Sequence, residues 1–290
     1  MDPSPSPTAA PRLRIVPAQR LSEGAGVMVN RTIGTPGLRN LDPFLMLDRF
    51  NSTNPGDYIA GFPDHPHRGF VTLTYLLEGH MLHWDSLGNR GDLVSGGAQW
   101  MKAARGVIHS EMPQQTGGRM SGFQLWINLP AREKMSAPGY QEVLPADIPI
   151  DRKEGVLVRI LSGSFAGTEG PIADPFTRLT CFDITLEPLR TLILPEETFF
   201  GKTAFFYGID GSLEIGGSPL LPDVIAVLDT GSDILPGGLA IKAGDKGARL
   251  LFISGTPLHE PVVAYGPFVM NTRAEIEQAI DDYRNNRLTL

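Results

Sequence analysis

The segment "DHPHRGF", Asp64 to Phe70, sets two of the chain's six histidines on either side of a proline. Side chains two apart on extended backbone point the same way. Pro66 fixes its own φ and biases the residue before it toward extended backbone. His65 and His67 are therefore expected to project into one space. Downstream, "RGVIHSEMP" repeats the device, with His109 and Glu111 again two apart. If the two segments are neighbouring strands of one barrel, three imidazoles and a carboxylate converge. That donor set suits a divalent transition metal such as iron, nickel, copper or manganese. A six-coordinate ion would keep two positions open for substrate, oxygen or water, whereas a structural zinc site is more often closed and cysteine-rich. The pairs alone leave two readings open, a metal clamp and ordinary hydrogen-bonded strand histidines. His80 and His83, in "GHMLHWD", are three apart and so face opposite sides of a strand; both read as non-ligands. His259, in "TPLHEPV", has no partner pattern and reads as structural.

The elements around these residues are strands. "FVTLTYLL" (Phe70 to Leu77) is β-branched and aromatic and ends at a Glu-Gly turn. "HMLHWD", the loop "SLGN" and "RGDLV" make a hairpin. "AQWMKA", "GVIHSEM" and "SGFQLWINL" continue the series with Gly or Asn between them, the pattern of an antiparallel sandwich or barrel. Residues 131–155 break the rhythm with Pro and charge and read as a linker. Strands then resume, and "AFFYGIDGSLEIG" echoes "TLTYLLEGHMLHW". Two similar barrels in tandem are the simplest account. The end differs: Thr272 and Glu275 form a T-x-x-E capping box, and Ile276, Ile280 and Tyr283 make one apolar stripe. A structural helix over residues 273–287 follows.

Composition narrows the function classes. The chain has 290 residues, 41% hydrophobic and 20% charged, enough for a substantial core without disulfides. The net charge of −7, with no dense Lys/Arg stripe, argues against direct nucleic-acid binding. The single cysteine, Cys181, reads as a small buried hydrophobe in a strand and fits a reducing compartment. Residues 1–11, rich in Pro and Ser, read as a disordered tail, not a secretory signal. No apolar run approaches a membrane span, and the expected location is cytoplasmic.

"HPHRGF", "LLEG", "DSLGNRG", "GGAQWM", "ARGVIHSEMP", "FQLWINLP", "YGPFVMNT" and "LDPFLMLDRF" (Leu41 to Phe50) resemble the signatures of the pirin family. The resemblance runs from about Arg12 to the terminal helix. It implies an all-β bicupin: two tandem jelly-roll-like barrels with a C-terminal α-helix and a metal in the N-terminal barrel alone. The expected domains are residues 12–130, which bind the metal, and residues 156–290, which lack a metal site and include the helix. The resemblance assigns the ligands to His65, His67, His109 and Glu111, and Fe(II) as the metal, with nickel, copper, manganese and zinc as alternatives. One departure stands out. Pirins commonly read "HPHRGFET"; this chain has Val71 at the glutamate, which raises a question about polarity around the site.

Two functions follow from the resemblance. Some bacterial pirins resemble quercetinases, which open a flavonol ring with dioxygen and release carbon monoxide. In that reading the partners are a flavonol-like aromatic and O2, and Glu111 is both ligand and proton acceptor. Phe62, Met101, Phe123 and Trp126 are candidates to line the pocket, with ordinary barrel core as the alternative for each. The rival reading is an iron-dependent redox-sensing regulator that binds a transcription factor or a metabolic enzyme.

Overall fold

The computed structural model describes residues 12–229 and 237–290; the tail expected over residues 1–11 lies outside them. The chain forms two compact units. The first comprises Gln19–Ile148, Asp174–Thr177 and Pro257–Leu290; the second comprises Pro149–Ala173, the described residues of Arg178–Thr256, and residues 12–18. Strand β1 (Leu13–Pro17) belongs to the second unit, where it pairs with Val224–Leu228. The C-terminal helix belongs to the first. The expected domains, residues 12–130 and 156–290, instead group β1 with the N-terminal barrel and the helix with the C-terminal one.

The first unit holds β2 (Gln19–Glu23), β3 (Val27–Ile33), β4 (Phe44–Ser52), β5 (Phe62–His67), β6 (Phe70–Glu78) and β7 (His80–Asp85), followed by β8 (Arg90–Val94), β9 (Ala98–Lys102), β10 (Val107–Pro113), β11 (Met120–Asn128) and β12 (Gly139–Val143). They form a seven-stranded sheet, β12-β9-β6-β11-β4-β3-β2, and a four-stranded sheet, β5-β10-β7-β8. Every pairing is antiparallel and the strand order is interleaved, as in a jelly roll. β6 lies inside the large sheet and is buried on both faces, so its residues are apolar or Thr at nearly every position. β7 alternates buried and exposed residues, the signature of a strand with one wet face.

Residues 131–155 are not a free linker. β12 adds an edge to β9, and Ile150–Lys153 adds an edge to Val156–Ser162. Pro and charge mark this stretch because edge strands tolerate both.

The second unit holds a nine-stranded sheet built around the long strands Thr203–Ile215 and Leu239–Gly255, with a separate two-stranded ribbon of Ser164–Phe165 and Thr168–Glu169. Its interior is apolar, with Phe182, Phe206 and Phe252 at the centre. None of its residues is a histidine. Cys181 is buried there, and burial pushes its thiol pKa up, away from reactivity.

Helix α1 (Arg273–Arg284) starts at the capping box read from sequence: Thr272 Oγ1 accepts from the Glu275 backbone N–H, and Glu275 accepts from the Thr272 N–H. Ile276 and Ala279 pack on Phe268, Met270 and Leu288, while Tyr283 is half in solvent against the Phe268 ring. This C-terminal segment braces both histidine strands. Arg68, beside His67, donates from Nη1 to Asp282 at 2.7 Å and holds that carboxyl below the usual carboxylate range. Each histidine motif also carries an Arg-Gly pair, for a steric reason. At Gly69 (φ +93°) an added Cβ would overlap the Val269 carbonyl, and at Gly106 (φ +154°) the Leu288 carbonyl. Gly106→Ala is expected to lower unfolding free energy by about 2 kcal/mol or more, measured by denaturant titration. Gly117, whose Cβ would meet nothing within 4 Å, is the neutral control.

Candidate metal centre

β5 and β10 are direct neighbours, with His65 opposite His109 and His67 opposite Val107. The period of two then turns all three imidazoles inward. Ring centroids lie 4.3 Å apart for His65–His109, 4.7 Å for His65–His67 and 4.9 Å for His67–His109. One nitrogen from each ring falls within 4.8 Å of the others.

The rings are prepared as electron-pair donors. His65 Nδ1–H donates to the Pro63 carbonyl at 2.8 Å, which leaves the lone pair on Nε2. His67 and His109 are almost fully buried, and none of their ring nitrogens makes a hydrogen bond of normal geometry. Burial, reinforced by the neighbouring imidazoles, holds both pKa values well below the ordinary histidine range; the Pro267 carbonyl opposes this weakly at His67. Both are therefore neutral at pH 7. An unpartnered buried polar atom costs about 1–3 kcal/mol, and folded proteins seldom keep several in one place. Lone pairs that face one another, dry and unbonded, fit a cation.

Glu111 stands beside this group and not within it. It is buried on the same face of β10 as His109, past a bulge in the pairing with β5. Thr74 Oγ1 donates to its Oε1 at 3.1 Å, and Gln124 Nε2 to its Oε2 at 2.7 Å. Trp126 Nε1–H in turn donates to Gln124 Oε1 at 3.4 Å. β6 and β11 of the large sheet thus reach across the barrel to hold a carboxylate carried by the small one.

His83 was set aside because it faces the opposite side of β7 from His80. That parity is right, but His83 is the inward member. It lies across from Glu111, 5.3 Å from the His109 ring, stacked on Tyr140 and 3.5 Å from Asp85. Burial alternates along β7, so the fold supplies the direction that the sequence parity leaves open. His80 pairs with Asp92 on the outer side, and His259 is exposed, its backbone N–H donating to Asp42.

The four pocket candidates separate. Trp126 touches the centre, 5.1 Å edge-on to His67 and stacked on Phe70 at 4.2 Å. Phe62 is 6.4 Å from His65 and lines a cavity of about 10 Å³ beside Glu111. Met101 packs with Ala103, Val107 and Tyr140 on the His109 side. Phe123 does not face the centre. As the neighbour of Gln124 it points to the other side of β11, under the Arg49 guanidinium. Val71 likewise alternates with Thr72 and Thr74, and pairs across from Ile127 and Lys102. It faces away from Glu111, so the loss of a glutamate there leaves the polarity of the centre unchanged.

The family model described as Pirin matches residues 26–127, and that described as Pirin C-terminal cupin domain matches residues 181–289. The chain belongs to the pirin family. A Pseudomonas aeruginosa pirin relative, provisionally named quercetin 2,3-dioxygenase, is 48% identical over 93% of this chain and 94% of its own. Human Pirin is 43% identical over 91% and 89%. The crystal structure of quercetin 2,3-dioxygenase from Acinetobacter baumannii superposes with a TM-score of 0.84 at 30% identity, covering 97% of this chain and 99% of that one. Both units are therefore cupins, and the histidine cluster sits in the N-terminal one. Among the described residues no helix is long and apolar enough to cross a membrane.

Proposed function

We propose that this pirin is a metal-dependent dioxygenase that opens the flavonol ring of quercetin-type substrates with O2 and releases CO. The observation that carries the reading is the cluster of three imidazoles that bring one ring nitrogen each within 4.8 Å of the others, two of them, His67 and His109, buried, neutral and without hydrogen bonds of normal geometry. His65, His67 and His109 would hold a divalent metal, with Fe(II) the first candidate, and Glu111 would complete the set. Such an ion supplies Lewis acidity toward a phenolate oxygen and, for iron, a redox couple for dioxygen. The rest of the chemistry falls to the chain. Glu111 accepts the proton of the flavonol hydroxyl as the substrate binds. Thr74 and Gln124 keep both carboxylate oxygens aimed inward while they wait. The cavity beside Glu111 has room for a molecule the size of water or dioxygen but not for a flavonol. The aromatic substrate must therefore approach past His65, the half-buried member of the trio.

The test is oxygen uptake with quercetin on protein reconstituted anaerobically with Fe(II) and, in parallel, other divalent metals. Turnover in the wild type and its loss in Glu111→Ala, by more than about 100-fold, is the expected result. Full activity in Glu111→Ala would remove the assigned proton acceptor. Bound metal with no oxygen uptake would leave the redox-regulatory reading in its place.

A further inference from the structure

The outer face of the seven-stranded sheet carries a second site of different chemistry. Arg20 on β2, Asn30 on β3, Arg49 on β4 and Phe123 on β11 are directly opposite one another in successive strands. They form one cross-strand row, with the two arginines about 10 Å apart at the backbone. Arg49 is 5% exposed, and its guanidinium lies 5.9 Å from the centre of the Phe123 ring, which fixes its orientation. Arg119 enters from the start of β11 and faces Asn51. Arg20, Asn30, Arg49 and Arg119 line a cleft of about 290 Å³. In a chain of net charge −7, three arginines and one aspartate, Asp57, line one cleft.

The bonds that two of these arginines make are loose. Arg20 reaches Asp57 at 3.6 Å, and Asp57 is itself committed to Ser52 at 2.7 Å. Arg119 reaches Glu78 at 3.9 Å and Asn51 at 3.5 Å. By contrast, Arg31 meets Asp48 and Arg249 meets Asp183 through paired bonds of 2.6–2.9 Å. Forked guanidinium donors that close on carboxylate or phosphate oxygens at such distances form the strong, geometry-selective bonds that Arg20 and Arg119 lack. The cleft is at the small end of ligand pockets, and the asparagines and hydroxyls on its floor match a polar occupant.

We propose that this cleft binds a small anion carrying two or more carboxylate or phosphate groups, one seated between Arg20 and Arg49 and another at Arg119. It lies on the face of β4 and β11 opposite Asp48 and Gln124, and so is separate from the histidine centre.

Calorimetric titration of the metal-loaded protein at constant ionic strength tests this, with tricarballylate and inorganic pyrophosphate as probes. Saturable binding of at least one probe, weakened tenfold or more in Arg20→Ser/Arg119→Ser, is the expected result. Both substitutions are at exposed positions, so the double variant should fold; Arg49→Gln adds the buried member where it folds too. The two probes distinguish carboxylate from phosphate preference. No saturable binding of either probe, or equal binding in the double variant, would overturn the proposal; equal binding would place the anion at the metal instead.

Discussion

His67→Leu is expected to remove metal binding and, at the same time, to make the metal-free protein more stable. In the wild type, His67 sits 5.0 Å from the Phe70 ring and 5.1 Å from that of Trp126, with neither nitrogen in a hydrogen bond of normal geometry. Leucine keeps the apolar contacts and removes two desolvated polar atoms. The chelator-treated variant should gain about 1–2 kcal/mol in a denaturant titration. Loss of the proposed ligand should weaken metal binding by more than about 100-fold, a larger loss than changes in residues that merely orient ligands produce. Added Fe(II) should therefore stabilise the wild type and leave the variant unmoved. The opposite outcome, a metal-free variant several kcal/mol less stable than wild type, would mean that the imidazole is held by structural hydrogen bonds, and the metal reading would fall with it.

Lys134→Met should be among the most damaging substitutions in the first unit. Lys134 is 1% exposed, and its ammonium donates to the Gly69 carbonyl at 2.7 Å, Asn128 Oδ1 at 2.6 Å and the Val269 carbonyl at 3.0 Å. These bonds tie the turn after His67, the end of β11 and the C-terminal segment to one point. Methionine fills the space but leaves three buried acceptors unmet, a loss of at least about 3 kcal/mol at pH 7. The same lysine predicts a pH dependence. Burial lowers its pKa to about 8 from 10.5, only partly offset by Glu260 and Glu275. Between those two values the unfolded chain holds a proton that the folded chain has released. Raising the pH therefore favours the folded state, by up to about 3 kcal/mol across the window. Below pH 8 both states are protonated and the dependence vanishes. Unfolding free energies of wild type and Lys134→Met between pH 7 and 10.5 should diverge upward for the wild type; parallel curves would show that the amine titrates normally.

Much of this protein is legible in its sequence, and the legible part is local. Two residues apart on a strand means one face, whatever the fold, so His65 with His67 and His109 with Glu111 follow from spacing alone. Thr272 and Glu275 announce the helix start because a capping box is satisfied within four residues. The absence of histidine from residues 110–258 already excludes a second histidine cluster of this kind there. Family motifs spread over both halves carry the bicupin architecture.

What the tertiary structure alone decides is which strands meet and which face of each one is inside. β5 and β10 are about forty residues apart, and only the closed barrel places His65 opposite His109. β6 and β11 are buried on both faces, so hydrophobicity cannot tell Thr74 and Gln124, which hold Glu111, from Val71 and Phe123, which look away. His83 enters for the same reason: its parity was readable, its direction was not. Strand β1 and helix α1 each join the unit remote from them in sequence, because free sheet edges and exposed apolar clusters recruit partners by burial and not by sequence order. Spacing rules act through bonds and local sterics. Pairing and facing are settled by the collective burial of two sheets, and that is a property of the whole chain.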